Sequence, residues 1–530
     1  MKKFINEVKS LADPKDHHAD HPTLPPQPHE PSAQGQFHLA PPTQLDLYRY
    51  RYQNGTNLGS VFCLESWLTG SMFPKGAGPS ELDAATASVQ EHGIEDARKK
   101  FEHHWHDYVT DADLDWLSKE AKCNSVRLPV GYWTLGPSFC RNTPFEHVAG
   151  VYENAWTAVM HLIARCRARH IGVLVDLHGV PGGINGSAHS GTSSGRAELW
   201  SNPAHQDQVI ACLEIIAHAL RDQENIIGME VCNEADWAPS LWAWYDRAIA
   251  AVHKIDPELP IYLSDGWRLP DALNETAQRN SPATNLNPLI VDTHLYYCFS
   301  PSDTAKPPSD LIAAAGSALS SVPKQAGDVL SRGATAVAVG EYSSVLSEPS
   351  WSHVPASARP DLIRTFTQTQ CATNHSRAAG AFFWTARMDW MPGGEWGFRA
   401  QVENKNLVAP SWLTLSVEEV KARIARAHEQ APGKRSETYA AHCGYWDQRG
   451  GQYDHSLFAA GWDAGFADAL RLFGMRSETG LVGGDRIGSV DMWVLKRLRD
   501  AKVAGNRSAW EFEHGLRQGV RDFYGLVGVE

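Results

Sequence analysis

Two apolar runs of the sequence end in a glutamate at the point where a buried strand would end. The stretch IIGMEVCNEADW passes from Ile226–Val231 into Asn233-Glu234, and VAVGEYSS places Glu341 at the end of another run. Glycoside hydrolysis requires two carboxyl groups, because one protonates the leaving oxygen while the other attacks the sugar or activates water. The alternative interpretation is a structural ion pair between these glutamates and Arg127.

Other polar and aromatic side chains stand at the ends of neighbouring runs. They are Glu65, Arg127, Asp176, His178, His294, Tyr296 and Trp384. We expect Arg127 and Tyr296 to hold Glu341 ionised by charge and hydrogen bonding. Glu234, as the proton donor, is expected to have a raised pKa, as a poorly solvated carboxyl near another acid has. Trp384 offers a flat surface to a sugar ring.

The elements that must position these residues are eight short apolar runs that alternate with helical stretches. The runs are Leu58–Leu64, Ser125–Pro129, Ile171–Leu177, Ile226–Val231, Ile261–Ser264, Leu289–Thr293, Ala336–Val339 and Ala381–Trp384. Each is typical of a strand buried on both faces of a parallel sheet. Eight β/α repeats predict an α/β fold, a (β/α)8 TIM barrel, whose chemistry lies at the carboxyl ends of the strands. An open doubly wound sheet is the alternative, although no glycine-rich phosphate loop follows the first run.

The segments on either side of the repeats differ from them in composition. Residues 1–44 are rich in proline and histidine and are expected to form a flexible extension. Residues 45–415 are assigned to the barrel. Residues 416–530 are assigned to a helical C-terminal extension packed on it.

The C-terminal extension contains an internal repeat. Phe458-x2-Gly461-x3-Gly465-x2-Asp468 recurs as Phe512-x2-Gly515-x3-Gly519-x2-Asp522. Glycines four residues apart lie on one face of a helix and permit close backbone approach. The repeat therefore predicts two helices packed tightly as a pair.

Composition narrows the partners and the compartment. The 530-residue chain has a formal net charge of −13, which argues against nucleic acid and anionic membranes as main partners. No run has the length and apolarity of a transmembrane segment or a secretory signal. Nine cysteines without a CxxC motif fit free thiols in a reducing compartment, so we expect a cytoplasmic protein. The sequence predicts no oligomeric state.

Seven motifs of the sequence resemble glycoside hydrolase family 5. They are NLGSVFCLESWLTGSMF, NSVRLPVGYW, VDLHGVPGGING, VCNEADW, DTHLYYCFS, VAVGEYSS and AFFWTAR. They are most similar to the fungal exo-β-1,3-glucanase branch, including intracellular members with a helical C-terminal extension. The resemblance extends over residues 54–400. It implies a TIM barrel, retention of anomeric configuration through a covalent glycosyl-enzyme, and neither a metal nor an organic cofactor.

The resemblance also implies a role for each site residue. Glu234 is matched to the acid/base and Glu341 to the nucleophile. The remaining residues are matched to substrate binding: Asn233 at the sugar 2-hydroxyl, Arg127 and Tyr296 around the nucleophile, His294 beside the acid/base, His178 and Glu65 at the terminal sugar, Trp384 as its floor, and Phe299 as a clamp on the next sugar.

Several positions depart from the family pattern. Ala235 follows the acid/base where proline is usual, and Tyr342 follows the nucleophile where tryptophan is common. Ser60-Val61 replaces a common Gly-Trp, and Gly182–Gly195 reads as a flexible loop near His178. These departures affect the walls of the site more than its chemistry.

The leading functional prediction is a retaining glycoside hydrolase that removes terminal β-linked glucose, an exo-β-1,3-glucanase or β-glucosidase. Its partner is a carbohydrate or β-glucoside substrate, and transglycosylation by the same residues stays open. The alternative substrate is a glucoside with a lipid, sterol or phenolic aglycone, bound by aromatics such as Trp67, Trp133, Trp237 and Phe299. A different class of function is a catalytically inactive carbohydrate-binding or scaffold protein, whose expected mark is the loss of a catalytic carboxylate.

Overall fold

A computed structural model describes residues 39–284, 286–322 and 328–529, and the chain from Leu39 onward forms one compact unit. Most of the predicted N-terminal extension, residues 1–38, lies outside the described residues. Eight parallel strands close into a barrel in chain order. They are β1 Gln53–Asn57, β2 Ser125–Gly131, β3 Gly172–Gly179, β4 Ile226–Glu230, β5 Ile261–Ser264, β6 Leu289–Leu295, β7 Val337–Tyr342 and β8 Gly380–Phe383. The predicted TIM barrel is confirmed.

The predicted position of the first strand is wrong. Leu58–Leu64 follows β1 as an irregular segment, and the strand itself is the polar stretch QNGTN. Two of its polar side chains are hydrogen-bonded inside the barrel, since Thr56 Oγ1 donates to the Phe383 carbonyl and Asn57 Nδ2 to the Gly340 carbonyl, both at 2.9 Å. Hydrophobicity alone therefore points to the wrong segment. Glu65 lies in the loop beyond β1 and not at the end of the strand.

Helices surround the barrel and continue beyond it. Those up to residue 332 are α1 Gln44–Tyr50, α2 Glu81–Asp107, α3 Asp111–Lys119, α4 Ala155–Arg167, α5 Pro203–Leu220, α6 Leu241–His253, α7 Leu269–Arg279, α8 Pro301–Thr304, α9 Pro308–Ser317 and α10 Val329–Arg332. Those that follow are α11 Glu348–Trp351, α12 Arg359–Arg377, α13 Phe398–Glu403, α14 Val417–Asp447, α15 His455–Glu478, α16 Val490–Ala501 and α17 Ala509–Val527. None of the described helices is long and apolar enough to cross a membrane.

The helices after residue 416 pack against the amino-terminal end of the barrel. Arg51, two residues before β1, forms an antiparallel bridge with Ile487 and an ion pair with Asp485 at 3.2 Å. Asp485 also accepts a hydrogen bond from Asn124 Nδ2, just before β2, at 3.0 Å. The catalytic end of a TIM barrel is the opposite, carboxyl end. The helical region thus lies away from the end at which we expect chemistry.

The glycine repeat builds the predicted helix pair. A Cβ added at Gly461 would lie 2.1 Å from the Phe512 carbonyl oxygen, and one at Gly515 would lie 2.0 Å from the Phe458 carbonyl oxygen. The backbones of α15 and α17 therefore meet at a separation that only glycine permits. The prediction of two tightly packed helices is confirmed.

A buried carboxylate joins three of these helices. Glu511 of α17 is fully buried; one of its oxygens faces His442 Nε2 of α14 at 3.0 Å and His455 Nδ1 of α15 at 2.6 Å. Its other oxygen accepts a hydrogen bond from the Asp454 backbone N–H at 2.6 Å. Both oxygens are thus hydrogen-bonded, and the cluster fixes the start of α15 against its neighbours.

Candidate active site

The carboxyl ends of the strands bring the predicted site residues together. Glu341 lies in β7 and His294 in β6, whereas Asn233 and Glu234 follow β4. Glu234 has φ 44°, in the left-handed region, and hydrogen bonds fix the backbone there. Asn185 Nδ2 donates to the Glu234 carbonyl at 3.1 Å, and the next backbone N–H donates to Ser264 Oγ at 3.0 Å. These hydrogen bonds therefore fix the backbone from which the Glu234 side chain extends at the mouth of the barrel.

Arg127 lies at the centre of the site and is fully buried in β2. Its guanidinium contacts Glu341 Oε1 at 2.9 Å and Asn233 Oδ1 at 2.7 Å. It also contacts Glu230 Oε2 at 2.8 Å and Asp176 Oδ2 at 3.0 Å. Burial alone lowers the pKa of Arg127, but these carboxylates outweigh it and hold the pKa well above its usual range. A permanent positive charge thus lies under the mouth of the barrel.

Glu341 is held on both of its oxygens. Arg127 occupies Oε1, and the Tyr296 hydroxyl donates to Oε2 at 2.8 Å. His294 Nδ1 lies 3.6 Å from the same Oε2. These contacts orient the carboxylate towards the pocket and compensate its charge, which is the environment of a nucleophile.

Glu234 lies between two imidazoles. His294 Nδ1 is 2.9 Å from Oε1, and His189 Nε2 is 3.2 Å from Oε2. Burial alone raises the pKa of Glu234, but the hydrogen bonds from His189 and His294 outweigh it and hold the pKa well below its usual range. The expectation of a raised pKa is therefore wrong for the sugar-free protein. The same contacts favour a proton on the imidazoles: burial alone lowers the pKa of His189, but the hydrogen bond with Glu234 outweighs it and raises that pKa to about 9.

The two carboxylates lie close together. One oxygen of Glu234, one nitrogen of His294 and one oxygen of Glu341 all lie within 4.8 Å of one another. Carboxyl groups of retaining glycosidases stand about 5–5.5 Å apart, whereas inverting enzymes leave about 6.5–9.5 Å for a water molecule. The observed spacing is that of a double displacement.

One wall of the pocket combines polar and flat groups. His178 stacks on Trp384 with ring centroids 6.1 Å apart, and Asp176 Oδ2 lies 2.7 Å from His178 Nδ1. Glu65 Oε2 accepts a hydrogen bond from Trp67 Nε1 at 2.8 Å, and burial raises the pKa of Glu65. Groups of this kind bind sugar hydroxyls beside an apolar ring face.

Exposed aromatic rings line the rest of the cavity, whose volume of 770 Å³ lies within the range of about 300–1,000 Å³ that is typical of small-ligand sites. Phe299 is 66% exposed and stacks on Trp396, with ring centroids 6.1 Å apart. Trp267 also lines the cavity. Of the other predicted aromatics, Trp133 is fully buried and stacked on Phe145, so it is not available to a ligand. Trp237 is exposed but is not one of the residues that line this cavity, so the structure does not place it in the site as predicted.

Three clusters of the described residues bring together groups that bind metals in other proteins. They are Glu234 with His294 and Glu341, Glu230 with Asp292 and His294, and His442 with His455 and Glu511. Within each cluster, hydrogen bonds and ion pairs already join the candidate ligand atoms to one another or to Arg127. These polar contacts account for the clusters without a metal.

Several site residues escaped the prediction. His189 and Trp267 lie in loops without periodicity, so no pattern marks them. Asn57, whose Oδ1 accepts from Arg127 at 3.0 Å, lies in the strand that hydrophobicity missed. Glu230 did leave a signal, because an acid inside the apolar run of β4 needs a buried partner, here Arg127.

The fold and the carboxylate pair together define a TIM-barrel glycoside hydrolase. Residues 83–376 match the cellulase family, glycosyl hydrolase family 5. Residues 427–527 match the glucan 1,3-beta-glucosidase 3 C-terminal domain. The chain belongs to glycosyl hydrolase family 5, and it is an O-glycosyl hydrolase.

Two relatives match nearly the whole chain. Glucan 1,3-beta-glucosidase 3 of Schizosaccharomyces pombe is 33% identical over 89% of this chain and 95% of its own. An uncharacterized glycosyl hydrolase of Saccharomyces cerevisiae is 31% identical over 92% of this chain and 94% of its own. Among solved structures, a rutinosidase from Aspergillus niger superimposes with a TM-score of 0.53 at 17% identity, covering 68% of this chain and 98% of its own. That likeness concerns the fold alone.

Proposed function

We propose that this protein removes terminal β-linked glucose with retention of configuration, as a glucan 1,3-β-glucosidase. The spacing of the Glu234 and Glu341 carboxylates, within 4.8 Å, carries the proposal. The similarity to glucan 1,3-beta-glucosidase 3 of S. pombe supports the choice of substrate.

In the first step, a Glu341 oxygen attacks the anomeric carbon. The bond from that carbon to the leaving oxygen breaks, and Glu234 gives its proton to the leaving oxygen. In the sugar-free site the pKa of Glu234 is held low while those of His189 and His294 are raised, so a proton must reach Glu234 before or during this step. As the covalent bond forms, Glu341 loses its negative charge, and its contacts with Arg127 and Tyr296 weaken.

In the second step, Glu234 takes a proton from water, the hydroxide attacks the anomeric carbon, and the bond to Glu341 breaks. Asn233 is assigned to the sugar 2-hydroxyl, with its amide fixed by Arg127. Glu65, His178 and Trp384 are assigned to the terminal glucose. In this proposal Glu65 binds the non-reducing end and closes the site beyond it, so that one glucose unit leaves at a time.

A second candidate substrate is a β-glucoside with an apolar aglycone. The observation that favours it is the group of exposed rings around the mouth, with Trp67 40% exposed, Trp267 55% and Phe299 66%. Exposed aromatic rings that line a cavity are typical of a binding site. We also propose a fungal source, supported by the S. pombe and S. cerevisiae relatives. A cytoplasmic location is proposed as well, supported by nine free cysteines.

The test is hydrolysis of a β-glucoside panel by the full-length protein, with the first product followed by proton NMR. Laminari-oligosaccharides, cello-oligosaccharides, an aryl glucoside and a steryl glucoside form the panel. Glucose released singly from β-1,3 oligomers, first as the β-anomer, supports the proposal. Cleavage of the aryl and steryl glucosides alone reassigns the substrate, and α-glucose as first product contradicts retention.

A further inference from the structure

Trp267 has an exposed indole that packing does not explain. It follows β5, lines the active-site cavity and is 55% exposed. No other aromatic ring of the described residues stacks on it, whereas Trp237, also exposed, is covered by the Arg268 guanidinium at 4.1 Å. A large apolar side chain left uncovered in a cavity is typical of a ligand-binding surface.

The backbone at Trp267 is held in a conformation that aromatic residues rarely adopt. Its φ is 60°, in the left-handed region, and the preceding Gly266 also has φ 60°. The Trp267 backbone N–H donates to Asp265 Oδ1 at 2.8 Å, and Thr293 Oγ1 donates to Asp265 Oδ2 at 2.7 Å. The turn is therefore fixed to β6, one residue before His294. Strained conformations that the surroundings enforce concentrate at functional sites.

The position of the turn formed by residues 265–267 shows on which side of the cavity Trp267 lies. β5 lies between β4 and β6 in the barrel, so its loop stands beside Glu234 and His294. A Cβ added at Gly266 would lie 3.9 Å from the Ala235 carbonyl oxygen, immediately after Glu234. Glu234 is the group assigned to protonate the leaving oxygen. Trp267 consequently lies on the leaving-group side of the reaction.

We propose that Trp267 determines specificity by binding the flat apolar face of the leaving group. The inference rests on the proposed function, because it uses the acid/base role of Glu234 to define that side. Both an aromatic aglycone and the C–H face of a second glucose present such a surface to an indole. A methyl leaving group presents none.

The experiment compares Trp267→Ala with Trp237→Ala, which removes a similarly exposed indole that does not line the cavity. Substrates are a naphthyl β-glucoside, laminaribiose and methyl β-glucoside. Trp267→Ala is expected to lower kcat/KM about tenfold for leaving groups with a flat face, mostly through KM, and less than threefold for the methyl glucoside. Trp237→Ala is expected to change none of them by more than threefold. If kcat/KM falls for only one of the naphthyl glucoside and laminaribiose, the proposal is supported and that substrate carries the preferred leaving group. If kcat/KM falls equally for all three substrates, or for none, the proposal is overturned.

A binding measurement separates this inference from the proposed function. A naphthyl thio-β-glucoside, which resists hydrolysis, is titrated calorimetrically into the wild type and both variants. If the wild type cleaves no glucoside but Trp267→Ala alone weakens binding, the proposed function fails, and only the contact of the indole with a flat apolar group is supported. If the wild type cleaves glucosides but Trp267→Ala binds the thioglucoside as tightly, the inference fails alone.

The thermal stability of a variant shows whether the Trp267 indole contributes to the packing of the fold or is free to bind a ligand. Trp267→Gly accommodates the positive φ and removes the indole. We expect its thermal unfolding midpoint to lie within a degree of the wild type or above it. A fall of several degrees would mean that the indole serves the fold, and would overturn the proposal.

Discussion

Glu234 shows how side-chain contacts decide the role of an acid. Its two oxygens lie 2.9 Å and 3.2 Å from the imidazoles of His294 and His189. Both histidines have a raised pKa because carboxylates surround them. In the proposed mechanism, the proton that Glu234 donates therefore depends on both imidazoles as well as on the Glu234 carboxyl.

The acid/base assignment predicts a dependence on the leaving group. Glu234→Ala is expected to lower kcat/KM by about 10²–10⁴-fold for glucosides with alkyl leaving groups, because the departing alkoxide is no longer protonated. Dinitrophenyl glucosides leave without protonation, so their first step is expected to change little. The measurement is a series of kcat/KM values against leaving-group pKa. A uniform loss across the series would contradict the role of Glu234.

Single residues differ in how much of their role the sequence reveals. Glu234 and Glu341 were found because an acid at the end of an apolar run is unusual. His189 was missed because its loop, rich in glycine and serine, carries no periodic pattern. Its contact with Glu234 depends on where the loop folds back, and only tertiary structure defines that.

At the scale of elements, α2 supports the segment that carries Glu65. Ser80 and Asp83 form a capping box at the start of the helix, and Glu81 is fully buried beside it. The Leu64 backbone N–H donates to Glu81 Oε2 at 2.7 Å. One buried carboxyl thus positions the residue next to Glu65.

This arrangement predicts a pH dependence of stability. Burial raises the pKa of Glu81 to about 8. Because the folded pKa exceeds the unfolded value of about 4.3, the folded state binds more protons, and this contribution to stability is full below pH ~4.3 and lost as pH rises through about 8. Relative to Glu81→Gln, the wild type is expected to lose about 2–4 kcal/mol of unfolding free energy across that window.

The measurement is urea denaturation of both proteins between pH 4.5 and about 8.5, within the range over which such linkage acts. Glu91→Gln, an exposed site on the same helix, is the matched control and is expected to follow the wild type. Parallel curves for the wild type and Glu81→Gln would contradict the account.

The contact between α15 and α17 predicts a second effect at this scale. Gly461→Ala places a Cβ 2.1 Å from a backbone oxygen of the opposite helix, so the helices must separate. We expect a loss of about 1–3 kcal/mol in unfolding free energy. Gly525→Ala on α17 is the control, because nothing lies within 4 Å of its Cβ, and alanine there is expected to stabilise by up to about 1 kcal/mol. Equal tolerance of both changes would show that the helices are not in close contact.

The strands illustrate the limits of hydrophobic patterning. Seven of the eight predicted runs overlap the observed strands, because strands buried on both faces are apolar throughout. β1 was missed because it is polar: the side chains of Thr56 and Asn57 form hydrogen bonds inside the barrel. Hydrogen-bond partners on distant strands allow such polar side chains to be buried in β1. A local sequence pattern carries no information about those partners.

At the scale of the whole molecule, the two ends of the barrel have different tasks. The carboxyl end holds the proposed chemistry, and the amino end carries the helices after residue 416. The sequence predicted that the helices exist, but the assignment of domain limits at 44 and 415 stays a prediction. The end of the barrel they cover follows from Asp485, Arg51 and Asn124, which no local pattern connects.

This separation predicts that stability and catalysis respond independently. Asp485→Ala leaves Arg51 buried without its carboxylate partner and is expected to cost about 3–5 kcal/mol of unfolding free energy. Asp463→Ala removes an exposed ion pair with Arg435 and is expected to cost less than about 1 kcal/mol. Both variants are expected to keep the wild-type kcat/KM at temperatures where they are folded. A selective loss of activity in Asp485→Ala would show that the two ends are coupled.

The central claim is that Glu341 forms a covalent bond with the sugar. The most direct measurement is incubation of the protein with 2-deoxy-2-fluoro-β-glucosyl fluoride, followed by intact-mass and peptide mass spectrometry. The account predicts one fluoroglucosyl group for each chain, attached to Glu341, and no labelling of Glu341→Gln. A label on any other residue, or turnover of the reagent without a covalent species, would contradict it.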